Sequence, residues 1–167
     1  MAKTGRAPLV LTAIFIAVFF AQSLLFAPPC YSENIESISS RIKTPEELAA
    51  WLSHNIEYEF AFGGKTANTI QEILSSRSGN CEDFANLASE ILKRMGIESK
   101  VVILRSKRFT LSHAVCVWKD SDGAYSFTSN AELHRTKETN MERAVMKFFP
   151  EYDIMTNYSD IRLAWRR

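Results

Sequence analysis

"RSGNCEDFANLASEILKRMGI", residues 77–97, carries the clearest helix pattern in the chain. Asn80 is a preferred helix N-cap, and Asp83 stands three residues after it, an arrangement close to a capping box. Apolar residues then recur at the spacing of one helix face, at Phe84, Leu87, Ala88, Ile91, Leu92 and Met95. Gly96 is a C-terminal stop signal. The stretch therefore predicts an amphipathic helix that begins at Cys81.

The thiol of Cys81 falls on the first turn of this helix, on its inward side. Unpaired backbone N–H groups and the helix dipole favour a thiolate there, and the same N–H groups can hold a developing oxyanion. Glu82 and Asp83 add negative charge to the same turn and work against the thiolate. Two interpretations therefore stay open, a reactive nucleophile and a structural cysteine packed in the core.

Residues 1–32 differ in composition from the rest of the chain. A short positively charged start precedes an apolar run of 19 residues, 9–27, and a proline-containing break follows it. This order is typical of an export signal, with cleavage after Ser32. The run is also long enough to span a bilayer, so an uncleaved membrane anchor through 9–27 is the alternative. In both cases we expect an exported domain at 33–167, either periplasmic or extracellular.

The whole chain has 167 residues and a formal net charge of +1, with 46% hydrophobic and 23% charged residues. This composition is typical of a globular protein of about one domain. The near-zero charge and the scattered basic residues give no support for a nucleic-acid partner. The sequence carries neither metal-ligand spacings nor phosphate-binding glycine motifs, so we expect no metal and no other cofactor.

Two further helices are predicted before the Cys81 helix. Thr44 as N-cap and Pro45 at the first helical position predict a helix that runs to about Asn55. The stretch 66–76 predicts a second, short helix, and its inward residues are Ile70, Ile73 and Leu74. Residues 77–80 are predicted as a turn.

Extended segments follow the Cys81 helix. Residues 99–105 are rich in β-branched side chains, 113–119 alternate like a strand, and 124–130 follow a turn signal as the return strand. Helices followed by an antiparallel meander give an α+β layout. Cys116 on the second of these strands is expected in the core, and a disulfide between it and Cys81 stays an open alternative.

His113 begins the middle strand, and the hairpin loop decides which polar residue it meets. A four-residue loop at 120–123 places His113 opposite Asn130. A two-residue turn pairs Asn130 with Val115, which is still on the His113 face, whereas a three-residue loop reverses the face and offers Ser129. Directly opposed residues have Cβ atoms about 4.5–5.5 Å apart. An imidazole with a polar partner on the next strand is therefore predicted.

A cysteine on a helix N-terminus, a histidine on a strand and a polar residue on the next strand form the arrangement of a papain-type triad. In this chemistry the histidine takes the thiol proton and later protonates the leaving amine. The third residue fixes the tautomer of the imidazole.

The same residues resemble the transglutaminase-like superfamily, in its bacterial cysteine-protease-like branch. The resemblance covers about residues 45–130 and rests on a G-x-C-x-D-x-A helix start, a Gly-Ile transition into a strand and an H-A strand. The matching residues are Gly79, Cys81, Asp83, Ala85, Gly96, Ile97, His113 and Ala114. The resemblance implies a papain-like α+β fold, in which the Cys-bearing helix packs on a small antiparallel sheet, and a thiol enzyme with catalytic Cys81 and His113.

The third residue departs from the family pattern. The family has an aspartate at the end of the short strand, where this chain reads Thr128, Ser129 and Asn130. The alignment puts Ser129 at the aspartate position, but asparagine orients the histidine in papain-type enzymes. We therefore predict a triad of Cys81, His113 and Asn130.

The predicted activity is acyl transfer through a thiol, with hydrolysis of a peptide or isopeptide amide bond in a peptide or protein substrate. Two alternatives stay open. One is a non-catalytic module on the same fold that binds peptide or cell wall, which the missing aspartate favours. The other is a protein-crosslinking transglutaminase, in which an amine replaces water as the acyl acceptor.

Several other polar and aromatic residues have no neighbouring motif. Solvated surface positions are predicted for His54 and His134. Lys107 and Arg108 precede His113 and are assigned to a solvated loop, with a flank of the substrate cleft as the alternative. The aromatic residues expected in the core or in a groove wall are Tyr58, Phe60 and Phe62.

Overall fold

The computed structural model describes residues 33–60, 67–108 and 110–159. The predictions about an export signal or anchor in residues 1–32 lie outside the described residues. Among the residues that are described, no helix combines the length and the apolar character that crossing a bilayer requires.

The described helices alternate with short strands before a meander of longer strands. The helices are α1 (Ile35–Arg41), α2 (Pro45–Asn55), α3 (Ile70–Ser76), α4 (Cys81–Arg94) and α5 (Met141–Met146). The strands are β1 (Glu57–Tyr58), β2 (Ser78–Gly79), β3 (Ser99–Arg105), β4 (Ser112–Lys119), β5 (Tyr125–Ser129), β6 (Glu132–Arg135) and β7 (Ile154–Asn157).

The main sheet has five strands in the order β6-β5-β4-β3-β7, and each neighbouring pair is antiparallel. The two short strands β1 and β2 form a separate parallel pair. Helix α4 packs on β3 and β4. The predicted α+β class, with the Cys-bearing helix on an antiparallel sheet, is confirmed.

The sheet buries a core on each face. On the α4 face, the apolar side of α4 packs against the β4 residues Ala114, Cys116 and Trp118. On the other face, Val115, Phe127 and Val145 belong to a second buried cluster. Burying an aliphatic or aromatic side chain of this size contributes about 1.5–3 kcal/mol, so the two clusters hold the strands and helices together.

The start of α4 is fixed by the predicted capping box. The Asn80 side chain accepts the N–H groups of Glu82 and Asp83 at 2.8 and 3.2 Å, and the Asp83 carboxylate accepts the N–H of Asn80 at 3.0 Å. These bonds satisfy donors that a helix N-terminus otherwise leaves unpaired. At the other end Gly96 has φ +79°, a left-handed conformation that glycine adopts without strain.

The predicted turn at 77–80 is only partly correct. Arg77 ends α3 with φ 56°, but Ser78 and Gly79 then pair in parallel with Glu57 and Tyr58. This pairing places β2, the short segment between α3 and Cys81, beside β1.

Of the three predicted hairpin registers, that of the three-residue loop, which offers Ser129, is confirmed, and those of the two- and four-residue loops are wrong. The paired strands end one pair earlier than a three-residue loop requires. Lys119 pairs with Tyr125, so the loop has five residues, 120–124, and Val115 pairs with Ser129. The Asp120 N–H bonds to the Ala124 carbonyl at 2.8 Å and closes the loop. An odd loop length puts Ser129, rather than Asn130, on the face that His113 shares with Val115.

Candidate active site

The Cys81 thiol lies where the first turn of α4 meets the beginning of β4. The backbone N–H of Ala114, the residue after His113, points at the sulfur atom. Cys81 is half-buried and packs against the core cluster of the α4 face. Helix α4 and strand β4 therefore bring the two residues Cys81 and His113 to the same end of the sheet.

Both cysteines of the described chain are free thiols, so they do not form the disulfide that the sequence left open. Cys116 is fully buried on the α4 face of β4, as predicted. Burial raises the pKa of the Cys116 thiol to about 12, although the hydroxyl groups of Ser99 and Ser89 oppose that rise. A buried thiol with this pKa is chemically inert, whereas Cys81 is partly accessible.

Burial is the main reason why the pKa of Cys81 is raised above its usual range, and the Glu82 carboxylate adds to the rise. The backbone N–H groups of Ala114, Glu82 and Cys81 act in the opposite direction because they hydrogen-bond the sulfur. The balance leaves a neutral thiol at neutral pH. The helix N-terminus thus moderates, but does not overcome, the cost of desolvating a thiolate.

His113 hydrogen-bonds Ser129 through Nε2 and Oγ at 2.8 Å. Asn130, the residue predicted for this role, instead turns the chain with φ 52°, and its buried Oδ1 has no hydrogen-bond partner within the described residues. The physical reason is the five-residue loop, which shifts the register by one residue and exchanges the faces of Ser129 and Asn130.

Burial lowers the pKa of His113, and the charge of Glu151 raises it by a smaller amount. The ring of Phe149 packs against the imidazole, with the ring centroids 5.2 Å apart. The imidazole is therefore neutral at neutral pH. A neutral imidazole can act as a general base toward a neutral thiol in the chemical step.

Two tyrosines lie within electrostatic reach of the thiol. Burial raises the pKa of Tyr58 and of Tyr152, and a negative charge on Cys81 raises both further. Tyr58 is 45% exposed on β1, where it pairs with Gly79, and Tyr152 packs its ring against Phe149. Both tyrosines therefore belong to the surroundings of the Cys81 thiol.

Sequence reasoning missed the contribution of residues 149–152 to this site. They follow α5, far along the chain from the cysteine and histidine motifs, and carry no motif of their own. Only the packing of the segment against the sheet brings Phe149, Glu151 and Tyr152 to the catalytic candidates.

Asp83 anchors the start of the Cys81 helix to a neighbouring segment. Its carboxylate is 1% exposed and accepts the backbone N–H of Asn68 at 2.7 Å and the side-chain amide of Asn68 at 2.9 Å. A Cβ added to Gly79 would lie 2.6 Å from the Asp83 Cβ, which is too close for a real side chain. The motif glycine and aspartate therefore fix where Cys81 begins its helix.

The remaining candidates lie apart from the site or differ from expectation. His54 is exposed, as predicted, and its Nδ1 is 2.6 Å from the Ala50 carbonyl. The prediction for His134 is wrong, because its half-buried ring stacks on Phe127 at 4.6 Å. Within the described ranges, no cluster of three His, Cys, Asp or Glu side chains has the arrangement of a metal site.

Comparison with known proteins adds evidence on the family. The family model of the transglutaminase-like superfamily matches residues 31–144. A search of curated proteins finds no match.

Solved structures with a similar fold share little sequence with this chain. A candidate cysteine protease from Cytophaga hutchinsonii is 17% identical, with 62% of this chain and 39% of that chain covered and a TM-score of 0.48. LapG from Legionella pneumophila is 13% identical, with 72% and 63% covered and a TM-score of 0.49. The chain thus spans about two fifths and three fifths of these two proteins. EGTA-treated LapG is 12% identical, with 77% and 74% covered and a TM-score of 0.50, a likeness that extends to the fold.

Proposed function

This chain belongs to the transglutaminase-like superfamily, and we propose that it is a thiol-dependent enzyme that hydrolyses peptide or isopeptide amide bonds. In this proposal Cys81 is the nucleophile, His113 is the acid–base residue and Ser129 orients the imidazole. The observation that carries the proposal is the 2.8 Å bond between His113 Nε2 and Ser129 Oγ, together with the hydrogen bond to the Cys81 sulfur from the N–H of Ala114, the residue after His113.

The neutral thiol and imidazole define the first step. With Nε2–H donated to Ser129 Oγ, Nδ1 of His113 presents a lone pair that can accept the Cys81 proton. As the proton leaves, the sulfur attacks the substrate carbonyl and a tetrahedral oxyanion forms. Asn80 accepts the N–H groups of Glu82 and Asp83, so we assign the oxyanion to the N–H of Cys81, which in the free enzyme is directed at its own sulfur.

The second half of the reaction returns the enzyme to its starting state. The protonated His113 gives its proton to the leaving amine, the C–N bond breaks and a thioester on Cys81 is left. His113 then takes a proton from water, the hydroxide attacks the thioester and a carboxylic acid departs as the thiol is restored.

A serine at the third position changes the electrostatics of the triad. Ser129 carries no charge, so it stabilises an imidazolium less than an aspartate does. The carboxylate of Glu151 raises the pKa of His113 and supplies part of the missing negative charge. We propose that the Glu151 carboxylate stabilises the His113 imidazolium, while Ser129 fixes the orientation of the ring.

A peptide-binding module without catalysis is the second candidate function. The neutral Cys81 thiol and the uncharged Ser129 favour it, because both weaken the nucleophile relative to a thiolate–imidazolium pair. Transfer of the acyl group to an amine rather than to water is a further variant of the same chemistry. We also propose that the domain acts outside the cytoplasm, on the basis of the apolar run 9–27.

Digestion of a denatured protein mixture tests the proposal. The wild-type chain is expected to generate new peptide ends, detected by mass spectrometry, while Cys81→Ala generates none. Cys116→Ala is the matched control and should cleave as the wild type does, because the Cys116 thiol is fully buried and out of reach of a substrate. If the wild type generates no new ends and transfers no acyl group to an added amine, the binding module replaces the enzyme.

A further inference from the structure

A cavity of about 540 Å³ opens in the loop between β3 and β4. Its lining contains three basic residues, Arg105, Lys107 and Arg108, and three hydroxyl residues, Ser106, Thr110 and Ser112. The three basic side chains are exposed rather than folded into the core. A cavity wall of this composition presents positive charge and hydrogen-bond donors, which are the groups that bind a carboxylate.

The cavity adjoins the candidate active site along both strands. Arg105 pairs with Ser112 across the sheet, one residue beyond the pair of Leu104 and His113. Burial raises the pKa of the Glu82 carboxyl, and Arg105 lies close enough for its charge to oppose that rise. Glu82 is next to Cys81, so the cavity and the thiol lie at the same end of the sheet.

The acidic groups around the cavity cancel only part of its charge, because two carboxylates lie beside three basic side chains. Asp153 accepts the backbone N–H of Lys107 at 3.3 and 3.4 Å, and Glu82 faces Arg105. Glu151 acts on His113 rather than on the cavity wall. These carboxylates lie beside the cavity, and no residue that lines it carries a carboxylate.

We infer that this cavity is a substrate subsite that binds the carboxylate of an acidic side chain in a peptide laid across His113. The inference rests on the proposed function, because it takes the substrate to be a peptide. A glutamate or aspartate near the scissile amide would place its carboxylate among the basic side chains of Arg105, Lys107 and Arg108. Serine and threonine hydroxyls of the same loop would supply further donors.

Binding to the Cys81→Ala chain tests the subsite without turnover. The probes are a fluorescein-labelled glutamate-rich peptide and the same peptide with every glutamate replaced by glutamine, followed by fluorescence anisotropy. The glutamate peptide is expected to bind about tenfold more tightly, and its advantage should shrink as salt rises from about 50 mM to about 500 mM.

A matched pair of double variants separates the cavity from the overall charge. Lys107→Gln with Arg108→Gln should remove most of the advantage of the glutamate peptide. Lys93→Gln with Lys100→Gln changes the net charge equally at the far ends of α4 and β3, and should leave the advantage within about twofold. All four side chains are exposed, so both variants are expected to keep the melting temperature of the parent.

Equal binding of the two peptides, or equal loss in the two double variants, would overturn the subsite. Turnover by the wild-type chain reports separately on the proposed function. Cleavage without a preference for glutamate would keep the hydrolase and reject the subsite. A preference in binding without any cleavage would keep the subsite and reject the hydrolase.

Discussion

His113 and Ser129 are hydrogen-bonded at 2.8 Å although they are not direct partners in the sheet. Ser129 pairs with Val115, two residues after His113, so the imidazole reaches its partner along the diagonal between adjacent strands. The relationship depends on the five-residue hairpin loop, since any even-length loop would present Asn130 instead.

Replacing Ser129 with alanine tests this relationship. Ser129→Ala removes the only group that the described residues hold against Nε2, so the imidazole loses its fixed tautomer and kcat/KM should fall about tenfold or more. Asn130→Gly is the matched control, because glycine accepts the φ of 52° and Asn130 Oδ1 has no partner to lose in the described structure. If Asn130→Gly lowered kcat/KM while Ser129→Ala left it unchanged, Asn130 rather than Ser129 would be the third residue of the triad.

The pH dependence of kcat/KM follows from the two shifted pKa values. Burial lowers the pKa of His113 from 6.5, and below that lowered value the imidazole is protonated and cannot accept the thiol proton. Burial raises the pKa of Cys81 from 9.0, and above that raised value the pair has lost the proton that the leaving amine requires. The profile should be flat between 6.5 and 9.0, and an acid limb centred above 6.5 would contradict the neutral pair.

The ring of Phe149 is expected to control the pKa of His113. Phe149→Ala should let water reach the imidazole and raise its pKa toward 6.5, which an NMR titration of the ring protons can follow. Phe148→Ala is the control from the next position, because its ring contacts Phe127 and His134 rather than His113. An unchanged His113 pKa in Phe149→Ala would remove Phe149 from the site.

The buried carboxylate of Asp83 should stabilise the fold as well as the site. Asp83→Asn keeps the size of the side chain but loses a charged acceptor of Asn68 and Asn80 donors, and about 1–3 kcal/mol of unfolding free energy should be lost. Urea unfolding measures the change, with Glu82→Gln on the same turn expected to stay within about 0.5 kcal/mol. A loss no larger than that of Glu82→Gln would mean that the capping box contributes little.

Local sequence signals predicted the elements that carry Cys81 and His113. Three of these signals lie within one helix and can therefore be recognised from the sequence alone. They are the capping box at Asn80, the apolar stripe after Cys81 and the glycine at position 96. The strands around His113 followed from alternation, and the family resemblance joined the two elements into one site.

Two features could not be settled from the sequence. They are the register of the hairpin of β4 and β5 and the contribution of residues 149–152 to the site. The sequence left three hairpin registers open. The structure selects one of them through Asp120, whose N–H donates to the Ala124 carbonyl and whose carbonyl accepts the Gly123 N–H. The Trp118 indole N–H also donates to the Asp120 carboxylate. The sequence analysis predicts neither α1 nor α5, because both helices are too short for a clear apolar period, although Asn34 and Asn140 cap them. Strand β7 pairs with β3 over a long sequence separation, which no local pattern reports.

Alkylation of the full chain with iodoacetamide tests whether Cys81 is a nucleophile whose proton His113 accepts. We predict that Cys81 is labelled much faster than the fully buried Cys116, that its rate rises with pH, and that His113→Ala slows it at neutral pH. Peptide mapping by mass spectrometry gives the two rates in one sample. Equally slow labelling of both thiols, unchanged by His113→Ala, would contradict the account and make Cys81 a structural residue.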